Sequence, residues 1–178
     1  MMSEKNGTDP TLTITFCYFD FTDDDAATCV PEPTNDDEMY EFPALLDDNE
    51  LDSGEIVLTR GNVEIRVRDS LDAMVSLFCL GAIPDLVDQK HVVIRYFESY
   101  GYLRLDPEAS DQLLSGDFIP TVRFPRAELI PALAATGERY VRFFEYLRGD
   151  DPAFASLLEN LRNKLSQAQL ALARWDGT

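Results

Sequence analysis

Apolar and polar residues alternate over residues 11–19, TLTITFCYF, with Leu12, Ile14, Phe16 and Tyr18 on one face. A period of two in β-branched and aromatic residues predicts a strand. The opposite face turns apolar toward Phe19, which suits a middle position in a sheet. Residues 55–68, EIVLTR-GN-VEIRVR, alternate more cleanly. Gly61-Asn62 stands where a two-residue turn belongs, with glycine first as a type II′ turn needs. That turn sets a register. Leu58 faces Ile65 and Ile56 faces Val67 on the apolar side, while Thr59–Glu64, Val57–Arg66 and Glu55–Arg68 pair on the wet side. The last is an opposite-charge pair across the strands. HVVIRYFE (91–98) and YLRLD (102–106) predict a second hairpin around Tyr100-Gly101. FIPTVRF (118–124) predicts a strand that Pro120 assigns to an edge.

The period then changes from two to 3.6. After Asp69 or Ser70 as cap, Leu71, Met74, Val75 and Phe78 fall at helical spacing, with Gly81 as a stop. Asp106-Pro107 reads as the start of a short helix through Leu114. Residues 126–148 carry Leu129, Leu133, Tyr140, Phe144 and Leu147, with Pro131 and Gly137 as expected kink points. Asp151-Pro152 opens a last helix. Its stripe of Phe154, Leu157, Leu161, Leu165, Ala168 and Leu172 is apolar throughout. Strands come first, helices last, and the connections are hairpins. This order predicts an α+β fold: an antiparallel sheet built from hairpins, with C-terminal amphipathic helices packed on one face. Residues 1–178 read as a single domain. Within it, residues 20–54, interrupted by Pro31, Pro33 and Pro43, read as an acidic long loop or partly ordered segment.

A chain of 178 residues with 45% hydrophobic residues can bury a real core. Charge changes the picture more. Residues 1–55 hold 16 Asp/Glu and one Lys, whereas residues 56–178 hold 17 Asp/Glu and 14 Lys/Arg. A nearly neutral domain thus carries a very acidic N-terminal third. A field of that sign opposes direct nucleic-acid or anionic-membrane binding and favours basic partners. The longest apolar run, AMVSLFCLGAI, is too short to span a bilayer. The N-terminus, MMSEKNGTDP, has no apolar h-region. Cys17, Cys29 and Cys79 form neither a CxxC pair nor an even set, which suits small core thiols in a reducing compartment. Together these predict a cytoplasmic protein.

Candidate chemistry is sparse. Asp48, Glu50 and Asp52 occupy positions 1, 3 and 5 of a calcium loop, but Ser53 stands where glycine is needed and Thr59 where glutamate is needed. His91 is the single histidine, at the start of an apolar strand. No G-x-S-x-G, zinc-ligand spacing or phosphate-binding glycine loop occurs. The expectation is no catalytic residue, no metal site and no cofactor. Arg60, Arg66, Arg68, Arg95, Arg104 and Arg123 lie on expected strands. There they balance nearby acids on a solvated face or dock the acidic segment.

The acidic segment contains Met39, Tyr40, Phe42, Leu45 and Leu46 among its carboxylates. Two readings fit: the apolar residues pack on the domain's own core while the acids face water, or aromatic anchors beside acids form a recognition strip in which the rings supply buried area and the carboxylates steer and select. The expected contact residues are Asp36, Asp37, Glu38, Tyr40, Glu41, Phe42, Asp47 and Asp48. In size, acidity and α+β pattern the chain resembles bacterial immunity proteins of polymorphic-toxin and contact-dependent-inhibition systems, with VRFPRAELIPALAATGERYVRFFEYLRG as the segment of most similar character. The resemblance implies a non-enzymatic inhibitor that occludes a basic toxin domain, such as a nuclease. The alternative is a structural or adaptor module that self-associates through its C-terminal helix.

Overall fold

The computed structural model describes residues 10–20, 28–41 and 53–177. Strand β1 (Leu12–Asp20) lies between β2 (Thr28–Pro31) and β3 (Ser53–Arg60), and β4 (Val63–Ser70) follows β3 at the edge, so the first sheet has the order β2-β1-β3-β4. The interior position of β1 agrees with its two-sided apolar character. Leu12, Ile14, Phe16 and Tyr18 are all buried. The β3–β4 register is the one the turn dictates, with Glu55 opposite Arg68, Ile56 opposite Val67 and Leu58 opposite Ile65. Gly61 takes φ +62°, the left-handed first position that a type II′ turn requires.

The second sheet is a meander, β5 (Val92–Arg95), β6 (Tyr102–Glu108), β7 (Asp111–Gly116) and β8 (Ile119–Pro125), in sequential order. The expected hairpin pairs Ile94 with Leu103, and the strand with Pro120 is an edge. The expected helix at 106–114 is absent. The chain stays extended through Pro107, turns at Ala109 (φ +53°) and Ser110, and returns as β7. Leu103, Leu105, Gln112 and Leu114 are fully buried at alternate positions. A buried glutamine in that series hides its period of two.

Between the sheets in sequence lies a helical stretch. One α-helical turn, α2 (Leu71–Met74), widens into a π-helix (Val75–Gly81), and α3 (Ile83–Val87) follows. The expected cap does not form, because neither Asp69 nor Ser70 gives α2 a side-chain cap. The wider helix turns Val75, Ser76, Phe78, Cys79 and Leu80 into the interior, where α4 (Arg126–Arg148) and α5 (Ala155–Arg174) pack against it. Helix α4 runs as one element through Pro131 and Gly137. Gly137 serves packing: a methyl group there would run into Leu80 Cδ2. Asp151 accepts a bond from Ala153 N (2.9 Å) and a 3₁₀ turn (Pro152–Phe154) leads into α5, as the Asp-Pro pair implies.

The core joins both sheets to the helices. Phe16 meets Tyr140 edge-on at 5.2 Å, Tyr18 lies 5.6 Å from Phe143, and Tyr140 stacks on Phe144 at 6.0 Å. The stripe of α5 belongs to this core. Leu161 and Ala168 are fully buried, and Phe154, Leu157, Leu165 and Leu172 pack partly buried against it. At the start of α4, Glu128 takes two bonds from Arg60 (3.0 and 3.1 Å) and one from Leu12 N (3.3 Å). The Arg60 guanidinium holds the Glu128 carboxyl below the usual glutamate range. None of the described helices is long and apolar enough to cross a membrane.

Candidate functional site

Two surfaces and one charged row stand out. The first surface is the acidic segment. Within the segment expected to be a long loop or partly ordered, residues 28–41 include β2 and then helix α1 (Asp36–Glu41). Its start follows from the residues Thr34-Asn35-Asp36-Asp37-Glu38. Asn35 Oδ1 accepts from Glu38 N (2.9 Å), and the Glu38 carboxylate reaches back to Thr34 N (2.7 Å), Thr34 Oγ1 (2.8 Å) and Asn35 Nδ2 (2.9 Å). This reciprocal arrangement is a capping box in substance. The bonds from Thr34 hold the Glu38 carboxyl below its usual range.

Helix α1 docks on α4. Glu32, almost fully buried, takes two bonds from Arg139 (2.8 and 3.0 Å), Asp36 takes one from Arg142 (2.8 Å), and Met39 packs against the core. Two arginines do therefore dock the acidic segment, but they come from α4. Four of the six strand arginines named from the sequence answer other acids: Arg60 binds Glu128, Arg66 binds Glu55 and Glu64, Arg68 binds Glu55, and Arg123 binds Glu108 (2.6 Å). Of the expected contact residues, Asp36 and Glu38 are engaged within the molecule. Asp37 is exposed without an ion pair among the described residues, and Tyr40 is 78% exposed. Glu41 ends the helix, its side chain outside the described residues. Phe42, Asp47 and Asp48 lie outside the described residues as well.

The second surface was missed in the sequence. The stretch Tyr96-Phe97-Glu98-Ser99-Tyr100-Gly101-Tyr102 is the tip of the β5–β6 hairpin, and Phe97 is 77% and Tyr100 90% exposed. Phe118, from the β7–β8 turn, is also exposed, and its ring lies 5.4 Å from Tyr96. Reading Phe97 and Glu98 as strand concealed the tip. The usable signal was four aromatic rings in seven residues around a glycine turn.

The tip is held from behind. The buried Asp69 carboxylate accepts bonds from Phe97 N and from Glu98 N (2.7 Å). That is why Asp69 does not cap α2. Ser53 Oγ donates to Glu98 (3.1 Å), and Asp117 accepts from Tyr102 N (2.6 Å). A cleft of about 510 Å³ lies beside the rings, lined by Leu77, Arg95 and residues 96–100. The buried Tyr96 hydroxyl is pushed above its usual range, by burial first and then by Asp69 and Asp117.

The charged row crosses the outer face of the first sheet. Cys29 on β2, Cys17 on β1, Glu55 on β3 and Arg68 on β4 each come from one strand. Cys17 is opposite Glu55, and Glu55 is opposite Arg68. Glu55 is only 1% exposed and takes bonds from Arg66 Nη1 and from Arg68 Nε (2.8 Å). Cys17 and Cys29 form a disulfide, with Cα atoms 5.7 Å apart. This corrects the expectation of three core thiols: the antiparallel β1–β2 pairing, with Phe19 opposite Cys29, sets Cys17 on a diagonal that a disulfide spans. Only Cys79 is free; it is buried, and burial pushes its thiol up, so it is a poor nucleophile.

Cys17, Cys29 and Glu55 are also the group among the described residues that brings three metal-ligating side chains together, their ligand atoms within 4.8 Å of one another. The sulfurs are bonded to each other and the carboxylate to two arginines, an arrangement that leaves no free donor set for an ion. His91 is exposed and bonded to Asp106, and among the described residues no Ser, Thr or Cys side chain is bonded to that pair. Comparison with protein-family models, curated proteins and solved structures finds no match.

Proposed function

We propose that the protein is a binding module of inhibitor type, acting by covering a partner rather than by catalysis. More particularly, it is an immunity protein whose partner is a basic toxin domain, such as a nuclease. The observation that carries this reading is the pinned aromatic tip. Phe97 and Tyr100 are held in water on a backbone that the buried Asp69 fixes. Rigid exposed rings are the costliest residues to leave unpartnered and the most productive at an interface, because little ordering entropy remains to be lost on binding. The net charge of −18 sets the sign of the partner. Asp37 and Tyr40 on α1 extend the same chemistry. The self-association alternative has less support, since the α5 stripe is built into the core.

The test starts with partner capture from the source cell and identification by mass spectrometry. The partner is then produced alone and titrated calorimetrically at two salt concentrations. The expected result is a one-to-one complex with a basic protein. Phe97→Ala with Tyr100→Ala weakens it roughly 30-fold or more, the size of a hot-spot loss of about 2 kcal/mol. Asp37→Lys flattens its salt dependence. A partner that binds all three proteins equally would refute the proposal.

A further inference from the structure

The disulfide has surroundings that a purely structural bridge does not need. Cys29 is exposed and Cys17 is buried, so one sulfur is open to attack and the other is shielded. The Glu55 carboxylate lies 3.8 Å from Cys29 Sγ. A cleft of about 350 Å³ opens beside them, and Cys29, Glu55, Arg66, Arg68 and Phe19 are part of its lining. Arg68 gives Glu55 a bond through Nε, and its guanidinium lies 5.7 Å from the Phe19 ring centre. Its terminal nitrogens have no partner among the described residues. Strand β2 is held independently of the sulfurs, by its backbone pairing to β1, by the bond from Glu32 N to Phe16 O (3.0 Å) and by the Glu32–Arg139 pair. The two sulfurs therefore stay neighbours when the bond opens, which is the condition for it to close again.

From these features we infer that Cys17–Cys29 is a thiol-exchange site, and that its co-reactant is a small anionic thiol of the glutathione class. The thiolate of that molecule enters the cleft, its carboxylates facing Arg66 and Arg68, and attacks Cys29 Sγ. A mixed disulfide forms on Cys29, the Cys17–Cys29 bond breaks, and its electron pair leaves on Cys17 Sγ, which takes a proton from water. A second small thiolate attacks the outer sulfur of the mixed disulfide. It releases the oxidised small disulfide and leaves Cys29 as a thiolate that is protonated in turn. Two small thiols have then reduced one protein disulfide by two electrons. Glu55 is a positioning residue in this scheme. Its negative charge stands 3.8 Å from Cys29 Sγ with the Arg66 and Arg68 guanidiniums behind it, so removing either sign of charge is read in the reactivity of Cys29.

The experiment uses the full chain, folded and without added metal. It is equilibrated in glutathione buffers of stepped ratio, quenched in acid, labelled with a maleimide and weighed. The expected result is that Cys17 and Cys29 gain label together at ratios that leave the fold intact, Cys79 staying unlabelled. The Cys17→Ser variant is expected to trap one glutathione on Cys29. Alkylation of Cys29 in the reduced protein is then followed against pH. Glu55→Gln is expected to speed it several-fold at neutral pH and to move its midpoint down, and Arg68→Gln, at an exposed position, to move it up. A pair that stays oxidised until the protein unfolds would overturn the inference. So would a pH profile that neither substitution moves.

Discussion

Helix α1 and the β5–β6 tip both show aromatic rings to water, yet their acids work in opposite ways. In α1 the acids are consumed locally: Glu38 closes the helix start, and Glu32 and Asp36 fasten the segment to Arg139 and Arg142. Among its described side chains, Asp37 and Tyr40 are exposed and outside these bonds. At the tip the decisive acid is buried. Asp69 stands behind the loop and holds Phe97 and Glu98 by their backbone, so the rings themselves stay uncommitted. Local charge density is therefore a poor guide to which acids stay free of contacts within the molecule. The buried carboxylate orders a loop and leaves its rings exposed, whereas the acids of α1 order their own helix.

The sharpest way to break the comparison is Asp69→Ala. It removes the acceptor for two backbone N–H groups and is expected to cost about 2–4 kcal/mol, read as a drop in denaturant midpoint. The tip amides of Phe97 and Glu98 should then exchange far faster, while α1 is unaffected. An intact tip in that variant would remove Asp69 from its role. Next in size, Cys17→Ser with Cys29→Ser is expected to lower the stability of the oxidised protein by roughly 2–3 kcal/mol, the value for closing a loop of this length. The same denaturant titration, run with and without reductant, separates this from a packing loss.

Smaller still, Asn35→Ala is expected to cost about 1 kcal/mol, confined to α1. It should appear in hydrogen exchange of residues 36–41 and leave the tip alone. Phe97→Ala and Tyr100→Ala are expected to change stability by no more than about 0.5 kcal/mol, since both rings face water. A large loss would mean that they belong to the fold.

Acid gives the mildest test. The Glu38 carboxyl is held below the ordinary value of 4.5, so its contribution to α1 is complete above that pH and is lost as pH falls through the lower folded value. The protection of the α1 amides, relative to their intrinsic exchange at each pH, is expected to fall below pH 4.5.

Much of the fold was legible because its signals are local. The Gly61-Asn62 turn determined every pairing of β3 with β4, and the alternation of Leu12 through Tyr18 determined which face of β1 is inside. Asp151-Pro152 marked the start of the last helical stretch. The failures share a cause: a residue whose role is set by something distant. Gln112 is fully buried and broke the period of β7. Asp69 looked like a helix cap, and its bonds reach 28 and 29 residues onward. Cys17 and Cys29 are 12 residues apart and meet only because β2 folds back on β1. Asn35 with Glu38 was a readable capping box, overlooked because the prolines and charge around it suggested a loop. The aromatic tip was visible as composition, but its backbone anchoring comes from Asp69, distant in sequence, and was not.

The connectivity of the two sheets has a consequence for how the chain assembles. Each neighbour in the second sheet follows its partner through a short turn, so its pairings need little loop closure. Strand β1 must instead find β3 across residues 21–52. Each doubling of a closed loop adds only about 0.6 kcal/mol, so that long connection costs little once formed, but distant pairing slows the search. The meander and the β3–β4 hairpin are thus positioned to organise first, with β1 and its acidic extension joining late. A region that joins late lies outside the folding nucleus, so substitutions in it are expected to speed unfolding while leaving the folding rate nearly unchanged.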